Sequence, residues 1–207
     1  MQHQSQIDAA KRAEGYDYTA SFLHVKDEIE KADIAIGNLE CSLGGKPYAG
    51  YPCFSAPDEF LFAIHNAGFD MLNTANNHCL DRGSKGGNRT IQLLDSLSIP
   101  HLGTYPDSVT QVREHPLIIE QKGFKLAFVA YTYATNGIKA APPFRVNYIE
   151  EKRMAEDIAR AKAMKPDAII AYVHWGNEYQ RYPNAEQESL ARWLISQGVD
   201  HVIGSHP

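Results

Sequence analysis

Asn76, Asn77 and His78, followed closely by Asp81, put two amides, an imidazole and a carboxylate into one short stretch. An amide oxygen ligates hard or borderline cations. An imidazole ligates a metal or moves a proton, and a carboxylate orients such an imidazole. The stretch lies between the apolar run at residues 69–72 and a helical pattern that begins near Ser84. A buried strand therefore hands over to a helix here, and α/β sheets bind ligands beyond the carboxyl ends of their strands. Taken alone, the same residues also read as an Asn-rich turn with a helix cap, because Asn and Asp bond readily to nearby backbone amides.

Three further apolar runs end in similar clusters. Residues 32–37 run into Asn38 and Glu40, residues 167–173 deliver His174 and Glu178, and residues 199–203 deliver His206. Four such endings on one sheet would gather a carboxylate, an amide oxygen and several imidazoles on one rim. That set suits a divalent cation of intermediate hardness, Mn, Fe or Zn, and the lack of paired cysteines disfavours thiolate-loving ions. Such an ion lowers the pKa of bound water and clamps phosphoryl or carboxyl oxygens. The alternatives are a turn carboxylate for Glu40 and a satisfied core histidine for His174. Glu178 reads as a supporting or surface group, His201 as structural and His65 as packing at a helix end. His3, His24, His101 and His115 have no supporting context.

The elements that must position these residues are legible in outline. Helical spacing covers residues 21–31, with Phe22, Val25 and Ile29 on one face, and a second helix runs from Pro57 to a stop at Gly68. Thr90, Leu93, Leu94 and Leu97 mark a third, and residues 149–164 and 183–197 two more. Residues 99–103 read as a short strand. Residues 117–120 and 125–131 read as a hairpin about Lys122-Gly123. Residues 43–55 and 136–145 are loops, and the aromatic clusters Tyr48-Tyr51, Tyr131-Tyr133 and Tyr179-Tyr182 lie on or beside loops. The order strand, polar loop, helix, with a hairpin midway, predicts an α/β or α+β fold with a mixed sheet.

The bulk properties narrow the function. A chain of 207 residues, 43% hydrophobic, has enough apolar material for one domain with a sizeable core. A net charge of −5 without a basic run argues against nucleic acid as a partner. No apolar stretch reaches the length of a membrane span, and the N-terminus has no signal-peptide pattern. Cys41 and Cys53 could pair in an oxidising compartment, but small buried or loop residues are the favoured reading of all three cysteines. A nucleotide-binding domain is disfavoured because no Gly-rich phosphate loop follows a strand.

Asn38-Leu39-Glu40, Ala75-Asn76-Asn77-His78 with Asp81 and Gly83, His174-Trp175-Gly176 with Glu178-Tyr179, and Gly204-Ser205-His206-Pro207 come in an order and approximate spacing that resembles the CapA-type capsule (poly-γ-glutamate) biosynthesis proteins. That family is a branch of the calcineurin-like metallophosphoesterases. The resemblance implies a β-sandwich of mixed sheets flanked by helices, with a dinuclear metal site at the strand ends. Glu40 then resembles a metal-bridging carboxylate and Asn77 an amide ligand. His174 and His206 resemble the imidazoles that complete one metal site. His78 resembles the group that protonates a leaving group, with Asp81 orienting it, and Asn38, Asn76 and Glu178 support these residues or face substrate.

The family usually opens with a strand ending in Gly-Asp and continues beyond its last His-Pro. Residues 1–207 therefore read as one truncated domain lacking its first strand and its C-terminal part, expected to be inactive alone. The missing strand would also leave exposed sheet edges. The implied function is a metal-dependent hydrolase or transferase in capsule assembly; the alternative is a non-catalytic accessory protein that binds the polymer or a membrane synthase complex. The implied substrate is an anionic polymer or phosphoester, and the implied location of the complete protein is extracytoplasmic and membrane-anchored.

Overall fold

Short apolar runs closed by glycine, proline or polar clusters form the strands of this chain, and periodic stretches between them form its helices. The computed structural model describes residues 2–206. The first half contains α1 (Gln4–Ala10), α2 (Thr19–Phe22), α3 (Lys26–Glu30), β1 (Ile36–Asn38), α4 (Asp58–Asn66), β2 (Met71–Asn73), α5 (Gly83–Ser96), β3 (His101–Leu102) and β4 (Thr104–Tyr105). The second half contains α6 (Ser108–Glu114), β5 (Leu117–Gln121), β6 (Phe124–Thr132), β7 (Arg145–Val146), α7 (Glu151–Ala163), β8 (Ala168–His174), α8 (Ala185–Ser196) and β9 (His201–Ser205).

β1, β2 and β3 form a parallel sheet. β5, β6, β8 and β9 form a second, in which β5 and β6 are the antiparallel hairpin and β6, β8 and β9 run parallel. β4 and β7 make a small antiparallel pair. Side-chain alternation along the strands then builds four layers. Ile170 and Tyr172 of β8, with Phe128 and Ala130 of β6, pack against Met71 and Leu102 of the first sheet. Ile169, Ala171 and Val173 face the other way, against Met154 and Ile158 of α7 and Leu194 of α8. On the opposite side Leu72 packs with Leu61 and Ile64 of α4 and Leu94 of α5. The result is an α/β sandwich with helices on both outer faces.

Two features depart from the sequence reading. Residues 21–31 form two short helices rather than one. Leu23 and Val25 are 64% and 47% exposed and neither helix has a side-chain cap, so no buried face sustains a longer helix. The four polar strand ends also come from two sheets, not one: Asn38 and Asn73 close strands of the first sheet, His174 and Ser205 strands of the second.

His115, without context in the sequence, is wholly buried. Its Nδ1 lies 3.1 Å from the Tyr105 hydroxyl and its Nε2 3.3 Å from Asp157 Oδ2. Tyr131 donates to the same carboxylate oxygen at 3.3 Å, so the Tyr131 side of that aromatic cluster belongs to the core. This network ties α7 to β6. Met1 and Pro207, the latter closing the fourth sequence motif, lie outside the described residues.

Candidate metal centre

Asparagines stitch the strand ends together. Leu39 N donates to Asn73 O at 2.9 Å, extending the β1–β2 ladder by one residue, and Leu39 is buried in the core. Asn38 Oδ1 accepts from Asn73 Nδ2 at 3.0 Å and from Asn76 Nδ2 at 3.2 Å. Asn76 also donates to Leu39 O at 2.9 Å and accepts from His78 N at 3.1 Å. Asn76 is therefore wholly engaged in holding two loops, and it has no free group to offer a substrate. Asn38 Nδ2 donates to Glu40 Oε2 at 3.1 Å, which aims the carboxylate.

Glu40, Asn77, His174 and His206 converge on this frame. The ligand atoms of Glu40, His174 and His206 all lie within 4.8 Å of one another. His174 Nε2 is 3.0 Å from Asn77 Oδ1 and 3.8 Å from Glu40 Oε1. The His174 and His206 ring centroids are 4.7 Å apart. Ser205 Oγ lies 2.8 Å from His174 Nδ1. Without a cation, Nε2–H donates to Asn77 Oδ1, because an amide oxygen only accepts; a cation at Nε2 would leave the proton on Nδ1, where the Ser205 hydroxyl can accept it.

The donor set fits a divalent cation. Glu40 Oε1 is buried and has no hydrogen-bond partner among the described residues, which is expensive for a carboxylate oxygen unless a positive charge meets it. Burial raises the Glu40 pKa, against the opposing pull of His78 and His206. Burial also pushes His174 down to about 3, reinforced by His206 and His78, so its imidazole is neutral at ordinary pH. A cation between these groups would offset both penalties. Carboxylate, amide and imidazole donors suit Mn, Fe or Zn. The thiols of Cys41 and Cys79 are pushed up to about 12 by burial and Cys53 is exposed; all three are free.

His78 stands beside this cluster. Its Nδ1 lies 2.8 Å from Asp81 Oδ2, which also accepts from Phe54 N at 2.7 Å, and the Phe54 ring packs against the imidazole with centroids 4.5 Å apart. Asp81 thus holds the His78 proton on Nδ1. Glu178 lies farther out, 3.9 Å from His206 Nε2 with its side chain 56% exposed. His201 opens β9 at the exposed surface, so its environment is solvent rather than core.

Asn73, Ser205 and Asn136 carried no assigned role in the sequence reading, and Tyr133 entered it only as one of the loop aromatics that would bind polymer. Asn73 and Ser205 set the orientations of Asn38 and His174, and Ser205 directly precedes His206. Tyr133 donates or accepts at 3.2 Å from His206 Nε2 and lies parallel to His174, with centroids 6.2 Å apart. Asn136 accepts from Asn77 Nδ2 at 3.3 Å. Position at a strand end could have found Asn73; for Asn136 the only local signal was the length of the 136–145 loop that it opens.

A family model described as "Bacterial capsule synthesis protein PGA_cap", whose fold is metallophosphoesterase-like, matches residues 1–207. The capsule biosynthesis protein CapA of Bacillus anthracis is 29% identical over 208 residues, covering 93% of this chain and 49% of that protein. The PGA biosynthesis protein CapA of Bacillus subtilis (strain 168) is 27% identical over 159 residues, covering 72% of this chain and 39% of that protein. The chain thus spans about half the length, or less, of these curated relatives.

Proposed function

The chain belongs to the bacterial capsule synthesis protein family PGA_cap, and from that premise we propose that it serves capsule or poly-γ-glutamate biosynthesis through a metal-dependent hydrolase or transferase site at the strand-end rim. The observation that carries this reading is the buried, unpartnered Glu40 Oε1 facing the neutral His174 imidazole. Glu40, Asn77, His174 and His206 would hold a divalent cation. Such a cation, when bound, supplies Lewis-acid polarisation and an acidified water.

The chain's own residues supply the rest. Ser205 can accept from His174 Nδ1–H, which would leave the Nε2 lone pair free for the cation. Asp81 orients the His78 ring through Nδ1 and so aims Nε2 to pass a proton to a departing oxygen or nitrogen. Phe54 keeps water from one face of that ring.

The substrate would be an anionic polymer or phosphoester, handled outside the cytoplasm by a membrane-anchored protein that works with a synthase complex. No helix among the described residues is long and apolar enough to cross a membrane. The experiment is metal analysis of the intact protein, followed by assays of phosphodiester and γ-glutamyl cleavage. Stoichiometric Mn, Fe or Zn with activity lost in His78→Ala is expected; a protein without bound metal or activity overturns the reading. The accessory alternative rests on Tyr179 and Tyr182, 92% and 86% exposed. Unchanged polymer output in folded His78→Ala would favour it.

A further inference from the structure

We propose that the cleft beside the rim binds an uncharged sugar chain. Tyr133, the carboxyl end of β8 and the helices α7 and α8 enclose a space of about 690 Å³, within the range of about 300–1,000 Å³ that ligand sites occupy. It adjoins the candidate metal centre directly. Tyr133 touches His206 and lies over His174, and Trp175 follows His174 in the chain. Trp175, Asn177 and Gln187 also line a second cavity of about 220 Å³ that ends at Ser205 and His206. A chain lying in the cleft would therefore lead to the rim.

The lining states the ligand's chemistry. Both tryptophans of the protein, Trp175 and Trp193, are here and half-buried, with Tyr133 44% exposed. Flat aromatic faces pack against the C–H face of a pyranose ring and leave its hydroxyls at the edges. Those edges meet polar groups of both kinds. Asn184 Oδ1 accepts from Gln187 N, and Gln187 Oε1 from Asn184 N, each at 2.9 Å, in the capping box of α8. The box takes both side-chain oxygens and holds both amides in place, so each keeps its NH₂ group as a donor for a ligand. Glu151 and Glu186 supply acceptors on the same wall.

Charge decides between a sugar and a polyanion. Among the described residues lining the larger cleft there is no Lys or Arg, and there are two carboxylates; Arg181 lines only the smaller cavity that leads on to Ser205 and His206. Within the larger cleft a γ-glutamyl or phosphorylated chain would set its own anions against Glu151 and Glu186 without a guanidinium or ammonium partner. Sugar hydroxyls satisfy the amide donors and the carboxylate acceptors together. The sugar is a ligand held beside the rim and not the substrate of the metal site, so its binding stands or falls apart from the metal-site reading above.

Fluorescence titration of the intact protein tests the proposal, since Trp175 and Trp193 lie in the cleft. The probes are uncharged oligosaccharides of glucose, galactose and N-acetylglucosamine, with oligo-γ-glutamate and polyphosphate as the anionic arms. Saturable binding of an uncharged probe is expected. Gln187→Glu keeps the capping-box acceptor but loses the NH₂ donor, and Trp193→Leu keeps apolar packing but loses the aromatic face. Each should weaken that binding about tenfold, the equivalent of one hydrogen bond or stacking contact. Binding of the anionic probes alone, no binding of any uncharged probe, or uncharged-probe binding unaltered in both variants overturns the proposal. Metal content measured on the same samples is expected to be unchanged by either variant, so failure of the sugar site and failure of the metal site are read separately.

Discussion

Glu40→Gln separates a metal ligand from a turn carboxylate by the sign of its effects. In the metal-free protein Glu40 Oε1 is buried without a partner, and burial raises its pKa. Glutamine keeps the shape and can still accept from Asn38 Nδ2, now 3.1 Å from Oε2. Replacing a buried, unpaired charge by an isosteric neutral amide should therefore leave metal-free stability within about 1 kcal/mol of wild type, or raise it. With metal the order reverses. An ion at about one hundred times its Kd stabilises the wild type by about 2.7 kcal/mol. At about 2–4 °C per kcal/mol for a domain of this size, that is a rise in Tm of about 5–10 °C. The variant should lose most of that rise. Thermal unfolding of intact wild-type and variant protein, in chelator and in Mn or Zn, measures all four values. A Glu40→Gln protein that loses several kcal/mol in chelator and keeps its full metal-dependent rise would refute the reasoning and make Glu40 a structural turn residue.

Three other outcomes follow from the same contacts. Burial, with His206 and His78, holds His174 down to about 3, whereas the unfolded imidazole titrates near 6.5. The unfolded state binds the proton first, so this stability is complete above about pH 6.5 and falls by about 1.4 kcal/mol per unit as pH drops toward 3. Neighbouring Glu40, raised by burial, contributes in the opposite sense, so the comparison is urea unfolding of metal-free wild type against His174→Gln; parallel pH profiles would contradict the assignment. Asp157→Ala should cost about 3–5 kcal/mol in urea unfolding, because His115 and Tyr131 lose a buried partner at 3.3 Å, and a loss under about 1 kcal/mol would mean the network contributes little. Asn136→Ala frees the Asn77 amide to turn its oxygen away from His174, and metal titration should show affinity reduced by about tenfold or more, with Asn136→Asp retaining it; equal affinities in all three proteins would remove Asn136 from any positioning role.

Chain order alone determined where chemistry could occur. Apolar strands that end in Glu40, Asn77, His174 and His206 announce a polar rim because strand periodicity and turn chemistry are local properties, written in a few adjacent residues. The hairpin read at residues 117–120 and 125–131 and the helices α4, α5, α7 and α8 were legible for the same reason. Short pieces were not: α1, α6 and the β4–β7 pair span too few residues for a period to show. Tertiary structure decided the rest. It assigned the four strand ends to two facing sheets, since which strands pair depends on packing of Met71, Leu102, Phe128 and Ile170 across the sandwich. It brought Ser205 onto His174, Asn136 onto Asn77 and Asp157 onto His115, contacts between residues far apart in sequence that no local pattern encodes. It also decided the pKa of His174, because depth of burial is a property of the assembled layers and not of the residue.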